Sequence, residues 1–335
     1  MIGKGKCSSS SAKVTVRNSS NASKSITLTL TENFTVRIGS DTYARTVFFF
    51  NLKSADIQSM TSWEVADSSG KKLGPYTIPT TANSTTKPLK IAVVADMDFT
   101  AVATNTITAL SKLNPLDYDF VFHNGDFAYD IHDEIGIRGD NFFQKMSETF
   151  STKIPYLVSS GNHETKFSTL FHYRFRMPGC TERAKRKNFY YSFDVKNVHF
   201  VTIDLDWLTI LADQTARNNV FIWLKKDLQE TQSLNKARWT VFFTHKPLYC
   251  MKISDCQLYF WYFRRLEELL LKYNTQLFIH GHVHTYIKTK PIKNFKVAQA
   301  SEKAPIYIIS GHAGTESYYS DDPNKALEYK GIMID

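Results

Sequence analysis

Side chains that could hold metal ions occur in five blocks of this sequence, each directly after an apolar segment. The blocks are Ala95-Asp96, Gly125-Asp126-Phe-Ala-Tyr129, Gly161-Asn162-His163-Glu164, Phe242-Phe243-Thr244-His245 and Gly281-His282-Val-His284. Carboxylate, phenolate and imidazole groups together suit transition metals, and the hard oxygen ligands favour the harder ion. One carboxylate can also bridge two cations about 3.5–4 Å apart, the separation found in two-metal hydrolytic sites. The residue types therefore predict a site for two neighbouring cations.

Parallel strands are needed to bring these blocks together. After residue 88, apolar segments of strand length alternate with helical segments, a pattern typical of a layered α/β domain. We predict strands at 91–95, 120–122, 155–158, 190–195, 199–205, 239–244, 277–280 and 306–310, and helices at 104–113, 141–150, 221–229 and 259–273. Because the carboxyl ends of parallel strands line one crevice, the five blocks are expected to converge there.

Each block on its own has a simpler explanation. An aspartate after a strand is often a helix cap or turn residue, a lone His245 could be a hydrogen-bonded core histidine, and Gly-Asn-His could be an ordinary turn. Five blocks in order, each ending a predicted strand, favour the metal site. We interpret His123 and His280 as core residues or as support for the ligands. Asp204 and Asp206 lack a matching ligand spacing around them.

The first quarter of the chain has a different pattern. Residues 1–25 are rich in Ser, Asn and Lys, and we expect a loosely ordered segment. Residues 26–78 contain period-two stretches such as Phe34-Thr-Val-Arg-Ile38 and no helical stretch, which predicts a small all-β, sandwich-like domain. The polar stretch 79–88, with a proline at each end, predicts a linker, and residues 89–335 then form one catalytic domain.

Composition limits the classes of partner. The 335-residue chain has a formal net charge of +9, which is explained either by solubility or by attraction of anionic substrates. No Lys/Arg run interleaves with aromatic residues as a nucleic-acid groove would require, so nucleic acid is not expected. No apolar run approaches the roughly 18 residues of a membrane helix, so no membrane span is expected. Nothing in the sequence indicates an oligomeric state.

Two features favour a secretory route. Glycosylation sequons cluster in the first quarter of the chain, at Asn18, Asn21, Asn33 and Asn83. Cys250 and Cys256 bracket a short loop and either close as a local disulfide or remain two thiols, while Cys7 and Cys180 have no assignable partner. The first residues lack an apolar signal core, which leaves a removed leader open. We therefore expect a glycoprotein of a secreted or lysosome-like compartment.

Taken together, the five blocks resemble those of the purple acid phosphatases, a group of calcineurin-like metallophosphoesterases. Tyr129 in the second block separates this group from relatives that lack the phenolate. The stretches 123–133, 191–195 and 245–256 are similar to the animal-type, high-molecular-weight branch. The resemblance runs from about Lys90 to the end, and the N-terminal β region stands where many members carry a fibronectin-type-III-like domain. It implies a layered sandwich of two mixed β-sheets flanked by helices.

The resemblance also implies a role for each matching residue. The ligands of a ferric ion would be Asp96, Tyr129 and His284. The ligands of a divalent iron, zinc or manganese ion would be Asn162, His245 and His282. Asp126 would bridge the two cations, and His163 would contact the phosphate and assist the leaving group.

The sequence departs from the family pattern at three places. The first block usually reads Gly-Asp-X-Gly but here reads Ala95-Asp96-Met97-Asp98, so Asp98 either adds a carboxylate near the ferric ion or caps the following loop. Tyr286-Ile287-Lys288 replaces a common Tyr-Glu-Arg. Many members have a further histidine near residues 257–262, where this chain has none. Protonation of the leaving group would then rest on His163 or on water.

The expected function is that of an acid phosphatase. It would hydrolyse small phosphate monoesters by attack of a metal-bound hydroxide at a dinuclear Fe(III)–M(II) site. A trivalent ion acidifies bound water more than a divalent ion does, which suits an acidic optimum. One rival is a phosphodiesterase or nucleotide pyrophosphatase on the same core. The other is a non-catalytic surface module that keeps its metals for structure.

Overall fold

The structure is a computed structural model that describes most of the chain. The described residues are 2–4, 12–18, 23–26, 30–38, 41–50, 60–67, 70–78, 87–165, 168–178, 188–234, 237, 239–249, 260–315 and 333–334. All four cysteines lie outside these ranges, as do the sequon residues Asn21 and Asn83, so the local disulfide stays a prediction. Within the described residues, no helix has both the length and the apolar character needed to cross a bilayer.

The N-terminal region consists of strands. They are β1 (Ile2–Lys4), β2 (Ala12–Asn18), β3 (Ser23–Ile26), β4 (Leu30–Ile38), β5 (Asp41–Phe49), β6 (Met60–Asp67) and β7 (Lys72–Thr77). They form two antiparallel sheets, ordered β1-β5-β4 and β3-β2-β6-β7. Val14 and Val16 of β2 and Val65 of β6 share a small apolar cluster.

Residues 1–25 differ from the loosely ordered segment that we expected. They include β1, β2 and most of β3, because Val14 and Val16 alternate with polar neighbours and can pack against β6 while those neighbours face away. The high Ser, Asn and Lys content concealed this short period-two pattern. The boundaries at 25, 78 and 88 and the fibronectin-like character remain predictions.

Strands and helices alternate after residue 88, as predicted. The elements are β8 (Ile91–Val94), α1 (Thr104–Ser111), β9 (Phe120–Asn124), α2 (Ile137–Met146), β10 (Tyr156–Ser159), α3 (Asn162–Thr165), α4 (Ser168–Arg174), β11 (Tyr190–Val195), β12 (Val198–Ile203), α5 (Gln214–Ser233), β13 (Trp239–Phe243), α6 (Phe260–Lys272), β14 (Leu277–His280), β15 (Tyr286–Thr289), β16 (Ile292–Lys293), β17 (Lys296–Val297), β18 (Ile306–Ser310) and β19 (Met333–Ile334). Short 3₁₀ segments at Ala101–Ala103 and Glu134–Gly136 and π-helical segments at Ser147–Ser151 and Trp207–Leu211 lie between them.

Two sheets form the layers of this domain. One is parallel and ordered β10-β9-β8, and the other is mixed and ordered β11-β12-β13-β14-β18-β15-β19. Four central strands of the mixed sheet, β12, β13, β14 and β18, run parallel. The stacked rings of Phe122 and Phe243, with centroids 3.8 Å apart, join the two sheets in one core. Helices α5 and α6 cover the other face of the mixed sheet through Leu224 and Leu266. The predicted layered α/β fold is confirmed, but only one of its two sheets is mixed, because the described strands β8, β9 and β10 all run parallel.

The loops that follow β8, β9, β13 and β14 meet at one edge of this sandwich. The backbone N–H of Asp96 donates to Gly125 at 3.1 Å, and that of Gly281 donates to His245 at 2.9 Å. Met97 and Phe127 form a further parallel bridge beyond the strands. Because short strands of buried apolar residues end together here, the polar residues that follow them are placed side by side.

Candidate metal centre

Three loops bring a phenol, a carboxylate and an imidazole together. The hydroxyl of Tyr129 lies 2.8 Å from His284 Nε2 and 3.2 Å from Asp96 Oδ1. His284 Nε2 in turn lies 3.4 Å from Asp96 Oδ1. The backbone N–H of His282 donates to the other oxygen of Asp96 at 2.8 Å, which fixes that carboxylate. These are the three side chains for which the family resemblance implies a ferric ion.

A second group lies beside the first and consists of Asp126, His245 and His282. One possible ligand atom from each lies within 4.8 Å of the other two. His245 Nε2 is 3.1 Å from Asp126 Oδ2 and 3.9 Å from Asp96 Oδ1, so the imidazole lies between the two groups. Four of the five scattered blocks therefore meet in one largely buried cluster.

The residues present fit cations. Asn162 begins α3, and its buried Oδ1 has no hydrogen-bond partner among the described residues. The next backbone N–H, that of His163, donates to Asp126 Oδ1 at 3.1 Å and so places Asn162 beside that carboxylate. His245 Nδ1 lies 2.8 Å from the carbonyl of Asn124, which requires a proton on Nδ1 and turns Nε2 towards Asp126.

Burial and mutual proximity shift the pKa values of the acidic groups and the histidine in this cluster. Burial would raise the pKa of Asp126, but His245 outweighs it and holds that pKa below its usual range. Burial raises the pKa of Asp96, and burial with the nearby carboxylates raises that of Tyr129 far above its usual value. Burial opposes protonation of His245, yet Asp126 and Asp96 raise its pKa to about 10. The cluster thus holds protons that cations can replace, and we expect metal binding to release protons.

Glu164 ties together two of the loops that carry candidate ligands. Its Oε2 accepts from the backbone N–H groups of Asp126 at 2.8 Å and Gly161 at 2.9 Å, and its Oε1 accepts from Phe127 at 3.0 Å. The side chain is fully buried, and burial raises its pKa to about 8. The sequence placed Glu164 in a block but gave it no role.

Asn124 joins both sheets directly behind the site. Its Nδ2 donates to the carbonyls of Thr244 at 2.8 Å and Ile279 at 3.2 Å, and its Oδ1 accepts from Ser159 Oγ at 2.6 Å. Its own carbonyl accepts from His245. One buried amide therefore holds the ends of β9, β10, β13 and β14 together.

Two glycines lie so close to candidate ligands that no side chain would fit in their place. A Cβ atom on Gly161 would lie 2.2 Å from Asp126 Oδ1, and one on Gly281 would lie 2.6 Å from Asp96 Oδ2. Asp96 and Asp126 themselves have φ values of 57° and 55°, in the left-handed region that non-glycine residues seldom adopt. Such strained residues cluster at functional sites.

His163 is oriented by a carboxylate. Its Nδ1 is hydrogen-bonded to Asp130, and its Nε2 lies 3.9 Å from Asp126 Oδ2. Burial lowers the pKa of His163, but the bond to Asp130 and the neighbouring carboxylates raise it to about 9. The imidazole is about one-third exposed, at 32%, so it faces both the cluster and solvent.

This geometry agrees with a sequence comparison in which residues 89–286 match the calcineurin-like phosphoesterase model. The chain belongs to the calcineurin-like phosphoesterase family. Members of this family carry a dinuclear metal centre, and the clustered side chains supply candidate ligands for it.

Similar proteins in this family include acid phosphatases. Acid phosphatase type 7 of Danio rerio is 32% identical over 59% of this chain and 49% of the relative. Purple acid phosphatase 15 of Arabidopsis thaliana is 28% identical over 72% of this chain and 48% of the relative. Purple acid phosphatase PPD1 from Lupinus luteus shares the fold, with a TM-score of 0.68 and 18% identity over 94% of this chain and 64% of that chain. The resemblance to purple acid phosphatases is confirmed, and the chain spans about half the length of the curated relatives it matches.

Asp98, for which the sequence left two explanations, acts as a turn residue in this phosphoesterase fold. Its Oδ1 pairs with Arg138 at 2.9 Å and accepts from the N–H of Phe99 at 2.8 Å. Its Oδ2 accepts from Thr100 Oγ1 at 2.9 Å. Both oxygens are therefore occupied by protein donors, and the arrangement favours the loop cap over an extra ligand.

The two strand histidines are core residues, as the sequence indicated. His123 Nδ1 lies 2.7 Å from Tyr156 Oη, and His280 Nδ1 lies 2.9 Å from Thr244 Oγ1. Burial lowers the pKa of each to about 3, so both are neutral. Sequence reasoning missed Asn124 and Asp130, although both stand beside motif residues.

Proposed function

We propose that this chain hydrolyses phosphate monoesters at acidic pH with two bound cations. The observation that carries the proposal is the meeting of Tyr129, Asp96 and His284 within 3.4 Å of one another beside Asp126 and His245. A phenol in that position distinguishes an iron-type centre from one built only of carboxylates and imidazoles. The names of the similar acid phosphatases support the same reaction class.

The two groups of side chains suit different cations. The phenol of Tyr129 and the carboxylate of Asp96 are hard oxygen donors, so this group, with His284, would hold Fe(III). The amide of Asn162 and the imidazoles of His245 and His282 would hold a divalent iron, zinc or manganese ion. Burial lowers the pKa of His282 to about 3, which keeps that imidazole neutral and ready to bind a cation. Asp126 would bridge the two cations.

The protein side chains would prepare the substrate for reaction. Two cations bound here would polarise the phosphate ester and lower the pKa of a bound water molecule, as two-metal sites do. Asp130 holds Nδ1 of His163, so Nε2 is left to donate its proton to the departing oxygen. Glu164 fixes the loops of Asp126 and Gly161 and so keeps the ligands in place as charge develops.

A secreted or lysosome-like location belongs to the same proposal. An acidic optimum suits such a compartment, and the sequons at Asn18 and Asn33 lie on β2 and β4 of the N-terminal sheets. The natural substrates would be small phosphorylated molecules, in keeping with a formal net charge of +9.

Metal analysis combined with kinetics tests the proposal. Protein from a secretory host should contain two cations per chain, absorb visible light through tyrosinate-to-iron charge transfer, and cleave a phosphate monoester faster than a diester. Tyr129→Phe should lose the visible band. Unchanged absorbance in Tyr129→Phe would overturn the ferric assignment.

Two other outcomes would favour the rivals. A large excess of rate on diesters or nucleotide pyrophosphates would identify a phosphodiesterase on the same core. Fewer than two cations per chain, with no turnover between about pH 4 and pH 8, would indicate a non-catalytic module.

A further inference from the structure

Two buried carboxylates, Asp204 and Asp206, lie just beyond the end of β12 and are not among the proposed ligands. Their residues are 2% and 1% exposed. Burying two charges this close together is costly unless each is paired. Their partners therefore indicate what these aspartates contribute.

Asp204 is bonded to the loop that leads to Asn162. Its Oδ2 accepts a hydrogen bond from Ser160 Oγ, and its Oδ1 accepts from the backbone N–H of Trp207 at 2.8 Å. The backbone N–H of Asp204 donates to the carbonyl of Phe189 at 2.6 Å, which fixes the backbone that carries this carboxylate. Ser160 is only two residues before Asn162, the first residue of α3.

Asp206 is paired with the loop that carries His245. Lys246 directly follows that histidine, and its Nζ lies 3.3 Å from Asp206 Oδ1 with only 12% of the side chain exposed. The carbonyl of Lys246 accepts from Thr244 Oγ1 at 2.8 Å, which closes the turn around His245. The ion pair therefore joins this turn to the loop that follows β12.

Both contacts reach the same half of the centre. Asp204 acts on the Asn162 loop and Asp206 on the His245 loop, and both loops belong to the half proposed for the divalent cation. The side-chain bonds of Asp204 reach Ser160 and Trp207, and the ion pair of Asp206 reaches Lys246. Asp96, of the ferric half, is fixed by the backbone N–H of His282 from the loop after β14, and neither Asp204 nor Asp206 takes part in that bond.

We infer that Asp204 and Asp206 are positioning residues that set the affinity of the centre for its divalent cation, without affecting the ferric half. The inference rests on the proposed function, because it assumes two unlike cations. Outer partners that orient metal ligands typically contribute 10–100-fold in metal affinity. We expect a loss of that size when either contact is removed.

The experiment measures both halves in the same sample. Asp206→Asn removes the charge that holds Lys246, and Ser160→Ala removes the partner of Asp204 without changing charge. Each holoprotein is titrated with a chelator while divalent metal content is read by mass spectrometry and the ferric half by its charge-transfer band. Release of the divalent cation should need about 10–100-fold less chelator, with the band unchanged.

A matched control exists elsewhere in the chain. Ser192 Oγ donates to Asp227 Oδ1 at 2.6 Å, a second Ser–Asp bond between β11 and α5. Ser192→Ala should lower the free energy of unfolding by about 1 kcal/mol, or roughly 5-fold in the folding equilibrium, and leave metal release unchanged. If Ser192→Ala released the divalent cation as readily as Ser160→Ala, a general loosening would explain the effect and the inference would fail.

The remaining outcomes separate the two claims. If wild-type protein holds both cations and Ser160→Ala and Asp206→Asn release the divalent ion at the wild-type chelator concentration, the inference is wrong and the proposed function stands. If wild-type protein binds no second cation, both the proposed function and the inference are wrong. Should Asp206→Asn not fold, Lys246→Gln breaks the same ion pair, keeps an N–H that can donate to Asp206, and is read in the same way.

Discussion

Two histidine–carboxylate clusters, each built around a buried histidine, differ in how completely their polar atoms are bonded. In the first, between β11, β12 and α5, His199 contacts Asp194 at 2.7 Å and Asp227 at 2.8 Å, so both ring nitrogens are used. In the second, the metal centre, Asn162 Oδ1 has no hydrogen-bond partner among the described residues and His245 Nε2 faces carboxylates. The first cluster is complete as it stands, whereas the second has capacity for cations. Residue types alone would not separate them.

The largest expected effect comes from the centre itself. Asp126→Ala removes the carboxylate proposed to bridge the two cations, and we expect kcat/KM to fall by about 10³-fold or more, beyond the loss of a single charge-stabilising donor. His199→Gln, measured in parallel on the same monoester, should keep the wild-type value. A similar loss in both variants would show that the two clusters do not differ in function.

His163 should have the next largest effect. His163→Asn should lower kcat by about 10²-fold for an alkyl phosphate and much less for a nitrophenyl phosphate, whose leaving group needs no proton. Asp130→Asn should move the alkaline limb of the kcat profile to lower pH, since Asp130 helps to raise the pKa of His163 to about 9. Equal losses on both substrates would argue against proton donation.

The first cluster, around His199, should affect the stability of the fold and not the rate of hydrolysis. Burial lowers the pKa of His199, but hydrogen bonds and charge from Asp227 and Asp194 outweigh it and raise the pKa above its usual value. The stabilisation is therefore full below about pH 6.5 and is lost as pH rises through the higher folded-state pKa. His199→Gln should cost about 1.5–3 kcal/mol in unfolding free energy at about pH 5 and less at about pH 9, measured by denaturant titration. A larger cost at the higher pH would contradict this assignment.

Asp98 should give the smallest effect, because both its oxygens already have protein donors. Asp98→Asn should leave metal content unchanged and cost about 0–1 kcal/mol of stability, the usual contribution of a partly exposed ion pair. Loss of iron in this variant would restore the alternative that Asp98 is a ligand.

Much of the site could be predicted because each ligand candidate stands directly after an apolar strand segment. Asp96, Asp126 and His245 are recognisable from their own neighbours in sequence, and the alternation of strands and helices predicts that they converge. Whether they bind the cations assigned to them stays a prediction. The layered fold followed from the same alternation.

The supporting residues could not be predicted in this way. Asp204 and Ser160 are 44 positions apart, and Asn124 and Ile279 are 155 apart, so no local spacing connects them. Their roles appear only when strand order and register are known. Strand β2 was missed for a different reason, since Val14 and Val16 are two apolar residues in a polar stretch and their burial depends on a partner strand.

Asn124 has a mechanical consequence for the whole domain. Because one amide is bonded to β10, β13 and β14 at once, the two sheets cannot shear past each other without pulling on the backbone that receives the His245 proton. Heat or pressure that displaces one sheet relative to the other would therefore move His245, and with it a proposed metal ligand, before the apolar core is exposed. Loss of bound metal should accordingly precede global unfolding, and it offers an early reporter of strain in this sandwich.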